Sequence, residues 1–198
     1  SDIDSDGDLD ILTFSILGGF VDYHKNMSME TISSCDSIIF ELETGCWGNF
    51  YEGLNTYALN CTNCQCPALN GTYTAEQHLS HAGSTLLAID IDNDNDKDLI
   101  LGDISYTNLN LLINGGNNDS AHIVSVDTVF PQNHNNTIAG DISVYPASYY
   151  IDVTNDGIKD LLLTTNTNNN SESLESCCLF ENTNSTNSPN FNFIKKSF

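Results

Sequence analysis

Arginine is absent from this chain, and its only permanently cationic side chains are five lysines. Against them stand 27 aspartates and glutamates, for a formal net charge of −22 over 198 residues. Phosphate recognition needs a Lys/Arg surface, so nucleic acid is a poor partner, and an anionic membrane surface is disfavoured for the same reason. No apolar run approaches the ~20 residues that span a bilayer. A signal peptide is missing too: the chain opens at Ser1-Asp2-Ile3-Asp4, inside an acidic motif. It therefore reads as a mature or excised piece of a longer protein. There is no nucleophile elbow, no phosphate-binding glycine loop and no His-Glu-x-x-His. The histidines His24, His78, His81, His122 and His134 are scattered and read as surface or satisfied core residues. So much negative charge strains a compact fold by self-repulsion unless cations are bound.

What is present supplies such a place three times. The segments Asp2–Ile11, Asp90–Leu99 and Asp152–Leu161 share one pattern. Oxygen-bearing side chains stand at positions 1, 3, 5 and 9: Asp2, Asp4, Asp6 and Asp10; Asp90, Asp92, Asp94 and Asp98; Asp152, Thr154, Asp156 and Asp160. Position 6 is Gly7, Asn95 or Gly157, residues that accept a sharp turn with positive φ. Position 7 offers its backbone carbonyl, which leaves its side chain free to vary as Asp8, Asp96 and Ile158. Carboxylates at alternate positions of a tight loop converge on one point, and calcium takes six to eight oxygens in flexible geometry. The loops hold thirteen acidic residues, five, five and three. About three Ca²⁺ ions are expected, which would bring the net charge from −22 to −16. Thr154 replaces a carboxylate, so the third loop is expected to bind most weakly. These are not EF-hands, because position 12 holds Thr13, Leu101 or Leu163 in place of glutamate. The flanks are also β-rich: Thr85–Ile89 and Tyr149–Ile151 before the loops, Leu9–Leu12, Leu99–Leu101 and Leu161–Leu163 after them.

A second strand then ends in asparagine each time, at Asn26, Asn114 and Asn182. From position 9 to that residue the count is 16, 16 and 22. A further strand follows: Ser37–Leu42, His122–Phe130 and Asn190–Ile194. The unit is strand, calcium loop, strand, strand, strand. Four-stranded repeats of this length are the sign of a propeller blade, which must stack on neighbours to bury both faces. The expected class is all-β: about three four-stranded blades of a larger β-propeller. They comprise a partial blade at 1–42, a Cys-rich insertion at 43–80, and blades at 81–130 and 131–198. An all-β sandwich is the alternative architecture.

On these residues the chain resembles the FG-GAP/VCBS repeats of calcium-binding β-propellers. The stretch Ala82–Ser105 with Leu111–Gly116, and the ending Leu179–Asn182 with Pro189–Phe193, is similar to VCBS-repeat propellers of secreted and cell-surface Bacteroidota proteins. Many of those carry type IX secretion sorting domains, none of which is in this piece. The resemblance implies a secreted or surface propeller used in adhesion or display. Its partners would be the remaining blades and a glycan or cell-surface protein ligand.

Residues 43–80 interrupt the repeat. Cys46, Cys61, Cys64 and Cys66 lie here, with His78 and His81, and Cys35, Cys177 and Cys178 lie outside. Disulfides that staple a coreless loop are the leading reading, a zinc site on Cys61, Cys64, Cys66 and His78 or His81 is the alternative, and free thiols are the third. Connectivity is not readable from spacing. Of Cys177 and Cys178, one is expected to point inward and the other to pair elsewhere. Trp47, Phe50 and Tyr51 read either as a sugar-stacking patch or as an aromatic plug beneath a long loop. Seven N-x-S/T sequons start at Asn26, Asn60, Asn70, Asn118, Asn135, Asn169 and Asn184. The functional expectation is an extracellular, non-catalytic calcium-binding module. A propeller domain attached to a secreted carbohydrate-active or other enzyme is the alternative.

Overall fold

The computed structural model describes residues 1–16, 18–34, 38–54, 56–66, 83–135, 137–167, 175–184 and 188–196. Among them are thirteen strands, two short α-helices and one 3-10 turn at Trp47–Asn49. The chain is all-β.

Strands β6 (Ser84–Ile89), β7 (Asp98–Asp103), β8 (Leu109–Asn114) and β9 (Ile123–Phe130) form a four-stranded sheet in sequential order. Strands β10 (Pro146–Ile151), β11 (Asp160–Thr165), β12 (Cys177–Asn182) and β13 (Phe191–Lys196) form a second. A third sheet has three strands, β1 (Ile11–Phe14), β2 (Val21–Asn26) and β3 (Phe40–Thr44). Helix α1 (Ser28–Ile32) lies between β2 and β3 in sequence, and α2 (Gln132–Asn135) follows β9. The expected order of strand, loop, strand, strand, strand is therefore present twice in full. The third sheet supplies the strands that follow its loop.

The reason lies in the apolar patterning. The continuous run Asp98-Leu-Ile-Leu-Gly-Asp103 is buried at all six positions, as an inner strand covered on both faces must be. Strand β10 instead alternates, with Tyr149 and Ile151 each nearly half exposed. The second and third acidic loops are hairpin connections: β6 pairs with β7 from Ile89↔Asp98, and β10 with β11 from Ile151↔Asp160. In the first, Asp10 N–H donates to Ser1 O at 2.8 Å, the same register.

The residues fall into two compact units. One comprises residues 84–94, 98–113 and 126–198. Its core joins Ile100, Leu109 and Leu111 to Leu161, Leu163, Phe180 and Phe191, all fully buried. Burial of each such side chain contributes about 1.5–3 kcal/mol. The two sheets approach closely at Gly102, where an added Cβ would lie 2.0 Å from Pro146 O. Only glycine permits that contact, and Thr85 Oγ1 donates to the same carbonyl at 2.6 Å.

The other unit comprises residues 1–83, 95–97 and 114–125. It contains the three-stranded sheet and the hairpin β4 (Phe50–Gly53) and β5 (Thr56–Leu59) of the insertion. Two disulfides, Cys46–Cys64 and Cys61–Cys66, staple this segment. They remove the zinc alternative, because Cys61, Cys64 and Cys66 are all spent in S–S bonds and offer no thiolate. His78, His81 and Cys35 lie outside the described residues. Cys177 and Cys178 are both free thiols, so the expected pairing of one of them does not occur. Burial pushes the Cys178 thiol up to about 11. Trp47 and Phe50 are buried, and Phe20 meets Tyr51 edge-on at 5.0 Å, so these aromatics form a plug and not a sugar platform. The disulfides fit an oxidising, extracellular environment. No helix among the described residues is long and apolar enough to cross a membrane.

Candidate metal centre

All three acidic loops adopt one backbone shape. Position 6 is left-handed in each, with φ of 98° at Gly7, 76° at Asn95 and 89° at Gly157. So is position 4, with φ of 64° at Ser5, 69° at Asn93 and 59° at Asn155. A Cβ on Gly7 or Gly157 would meet nothing within 4 Å, so glycine serves backbone conformation there and not space. Asparagine tolerates the same φ, which explains Asn93, Asn95 and Asn155. Aspartate side chains brace these turns by accepting from backbone N–H groups. Asp6 Oδ1 accepts from Asp8, Asp90 Oδ1 from Asn93 and Asp156 Oδ1 from Ile158, at 3.1, 2.7 and 2.8 Å.

In the first loop Asp2, Asp4 and Asp6 bring three carboxylate oxygens within 4.8 Å of one another. Asp2 Oδ1 is sealed from solvent without a hydrogen-bond partner. Burial pushes the Asp6 carboxyl up to about 6, and the charges of Asp4, Asp8 and Glu30 add to this against the bond from Asp8 N–H. Lys25 of β2 reaches in from outside the loop. Its Nζ lies 2.5 Å from Asp4 Oδ2, 3.8 Å from Asp6 Oδ2 and 2.6 Å from Glu30 Oε1. Bonds to Asp4 and Glu30 hold the Lys25 ammonium well above its ordinary range. The phenol of Tyr23 is also pushed up, by burial and then by Asp10 and Asp4. Asp8 turns away from the loop's own triad: it is 3% exposed, and its Oδ2 accepts from Met29 N–H at 3.3 Å.

In the second loop Asp90, Asp92 and Asp94 form the equivalent triad within 4.8 Å. Burial raises the Asp92 carboxyl, and the Asp94 charge adds to it. Asp96, at position 7, is buried. The third loop differs. Thr154 supplies no carboxylate, and no acidic triad forms there among the described residues. Asp152 turns inward on its own loop, accepting from Asp156 N–H at 3.2 Å and Gly157 N–H at 3.0 Å. Ile158 places only backbone at the site, with its N–H on Asp156.

The position-9 carboxylates stand apart from the triads and clasp the loop ends. Asp10 Oδ2 accepts from Ile3 N–H and its Oδ1 from Asn26 N–H, both at 2.8 Å. Asp98 Oδ2 accepts from Ile91 N–H at 2.8 Å. Asp160 Oδ2 accepts from Val153 and Thr154 N–H at 3.0 and 3.1 Å, and its Oδ1 from Asn182 N–H at 2.9 Å. Burial raises the Asp10 carboxyl despite these bonds. The recurring asparagines complete the bracket: Asn26, Asn114 and Asn182 Nδ2 donate to Leu9, Lys97 and Lys159 O, the position-8 carbonyls. Their place in the sequence is visible; their task is not. Lys25 and Glu30 carry no local sequence signal at all.

Clustered carboxylate oxygens on a rigid turn suit a hard cation that prefers oxygen. The two triads are an oxygen donor set of the kind calcium takes. Comparison with protein-family models, with curated proteins and with solved structures finds no match to this chain.

Proposed function

We propose that the chain is a calcium-binding module of a secreted or cell-surface protein, made of FG-GAP/VCBS-type propeller blades. In this reading calcium is structural. It closes the hairpin bends so that neighbouring sheets stack, while the assembled blades serve adhesion, ligand binding or display.

The observation that carries this is the convergence of three carboxylate oxygens within 4.8 Å in each of the first two loops. Two unit charges at that separation repel by about 3 kcal/mol at an effective dielectric of ~20. A dication at the centre turns each repulsion into attraction, which couples metal binding to folding. The shared left-handed positions 4 and 6 support one common ligand geometry across the loops.

Calcium stoichiometry by isothermal titration, together with melting of Asp94→Ala, tests the reading. The parent should take up calcium and melt higher in its presence. Asp94→Ala should lose one equivalent and melt lower than the parent in calcium, but no lower than the parent in chelator, where it relieves the repulsion within the triad. A parent that binds no calcium at millimolar concentration would end it.

A further inference from the structure

We infer that the first loop holds a second divalent cation, bound by Asp6, Asp8 and Glu30 on the side of the loop facing helix α1. It rests on the reading of the loops as cation sites, and adds an ion that the loop's own repeat pattern does not call for.

Three observations meet here. First, Asp6, Asp8 and Glu30 each present a carboxylate oxygen within 4.8 Å of the others, a group separate from Asp2, Asp4 and Asp6 but sharing Asp6 with it. Second, Asp8 is 3% exposed and its Oδ1 is sealed without a hydrogen-bond partner. A buried carboxylate oxygen is costly to leave unmatched, so it calls for a donor or a cation. Its other oxygen already accepts from Met29 N–H, which fixes the side chain toward the helix. Third, the charge does not close with one ion. Asp2, Asp4, Asp6, Asp8 and Glu30 are five carboxylates, and Lys25 is the cation paired with Asp4, Asp6 and Glu30. One dication leaves this cluster with a formal surplus of two negative charges; two dications neutralise it. Asp6 then bridges the ions, one carboxylate oxygen to each, a use open to a group with about four lone-pair sites.

Glu30 comes from outside the loop, so the second ion ties α1 to the bend. The second loop gains no such partner: its described acidic group is Asp90, Asp92 and Asp94 alone.

The test is the calcium stoichiometry of the full chain and of Glu30→Gln, Asp8→Asn and Asp92→Asn, each checked for folding by circular dichroism. Glu30 is exposed, so its amide is tolerated sterically. The inference expects Glu30→Gln and Asp8→Asn each to bind one equivalent fewer than the parent. The double variant should lose the same single equivalent and not two. Asp92→Asn should lose a different one, additive with either. If Glu30→Gln and Asp8→Asn both keep the parent stoichiometry while Asp92→Asn loses an ion, the second site is overturned and the loop reading stands. If the parent itself binds none, both fall together.

Discussion

Asn26 and Asp10 are joined across sixteen residues by a bond from the Asn26 N–H to Asp10 Oδ1 at 2.8 Å. Asn26 Nδ2 returns to the carbonyl of Leu9. Asn182 repeats both contacts with Asp160 and Lys159. The last two loop residues are therefore held by the strand beside them, independently of any ion. This sets the position-9 carboxylates, which clasp the loop ends, apart from the triad carboxylates, which gather charge.

Asp160→Ala is accordingly expected to destabilise with or without calcium. Asp160 is fully buried, and its loss orphans the N–H groups of Val153, Thr154 and Asn182, of which that of Asn182 is buried and the other two are partly open to water. At ~1–3 kcal/mol for a buried unsatisfied group, partly relieved by water, the loss should be about 2–5 kcal/mol. Urea unfolding in calcium and in chelator checks this. A loss seen only in calcium would show that Asp160 acts as a ligand and not as a clasp.

Asn114→Ala removes a donor to Lys97 O and an acceptor for Gly116 and His122 N–H. The expected cost is about 2–4 kcal/mol. Asn114→Asp should recover part of it by restoring the acceptor. Equal melting of the alanine and aspartate variants would count against the bracket.

The pH dependence should reverse with metal. The Asp6 carboxyl is raised from 3.8 to about 6, so the folded chain binds this proton more readily than the unfolded chain. Without metal, stability then falls as pH rises from about 4 through about 6, and Asp10 and Asp92, also raised, act the same way. Glu30 is lowered by Lys25, so its opposing contribution is lost only at more acidic pH. In chelator the melting temperature should be higher at pH 5 than at pH 7.5. In calcium the order should invert, because protons compete with the ion. A chelator profile that climbs from pH 5 to 7.5 would contradict the Asp6 assignment.

Lys25→Met withdraws the ammonium from Asp4, whose side chain is 7% exposed. Leaving that carboxylate without its partner should cost the metal-free chain about 1–3 kcal/mol. Calcium should bind the first loop more tightly, since a tethered competitor is gone. Titration and melting of the same preparation measure both effects, and weaker calcium binding would refute the competition.

Reduction should loosen the insertion. Cys46–Cys64 spans 18 residues, for which chain-entropy arguments give about 3 kcal/mol. Dithiothreitol should therefore lower the melting temperature, and Cys46→Ser with Cys64→Ser should reproduce most of the shift without reductant. A double variant as stable as the parent would rule out this contribution.

Much of this architecture is local and so legible in one dimension. Alternating carboxylates, glycine or asparagine at position 6 and apolar runs on either side predict a strand, a bend and a strand. Hairpin pairing then follows from proximity along the chain: Ile89 meets Asp98 and Ile151 meets Asp160. The strands ending at Asn26, Asn114 and Asn182 were marked by their spacing for the same reason. Backbone conformation at position 4 was hidden, because Ser5, unlike Asn93 and Asn155, gives no sign of a positive φ.

What only the tertiary structure decided depends on groups distant in sequence. Glu30 and Lys25 reach the first loop because β2 and α1 fold back against it, and nothing in their neighbours announces that they will. The division between clasping and clustering aspartates is also tertiary, since all of them look alike as carboxylates at odd positions. Disulfide pairing is the same kind of fact: Cys46 bonds Cys64 while Cys61 bonds Cys66. Sequence spacing sets which residues share a bend. Which oxygens remain for a cation is settled by the N–H groups and charges that the rest of the chain brings to them.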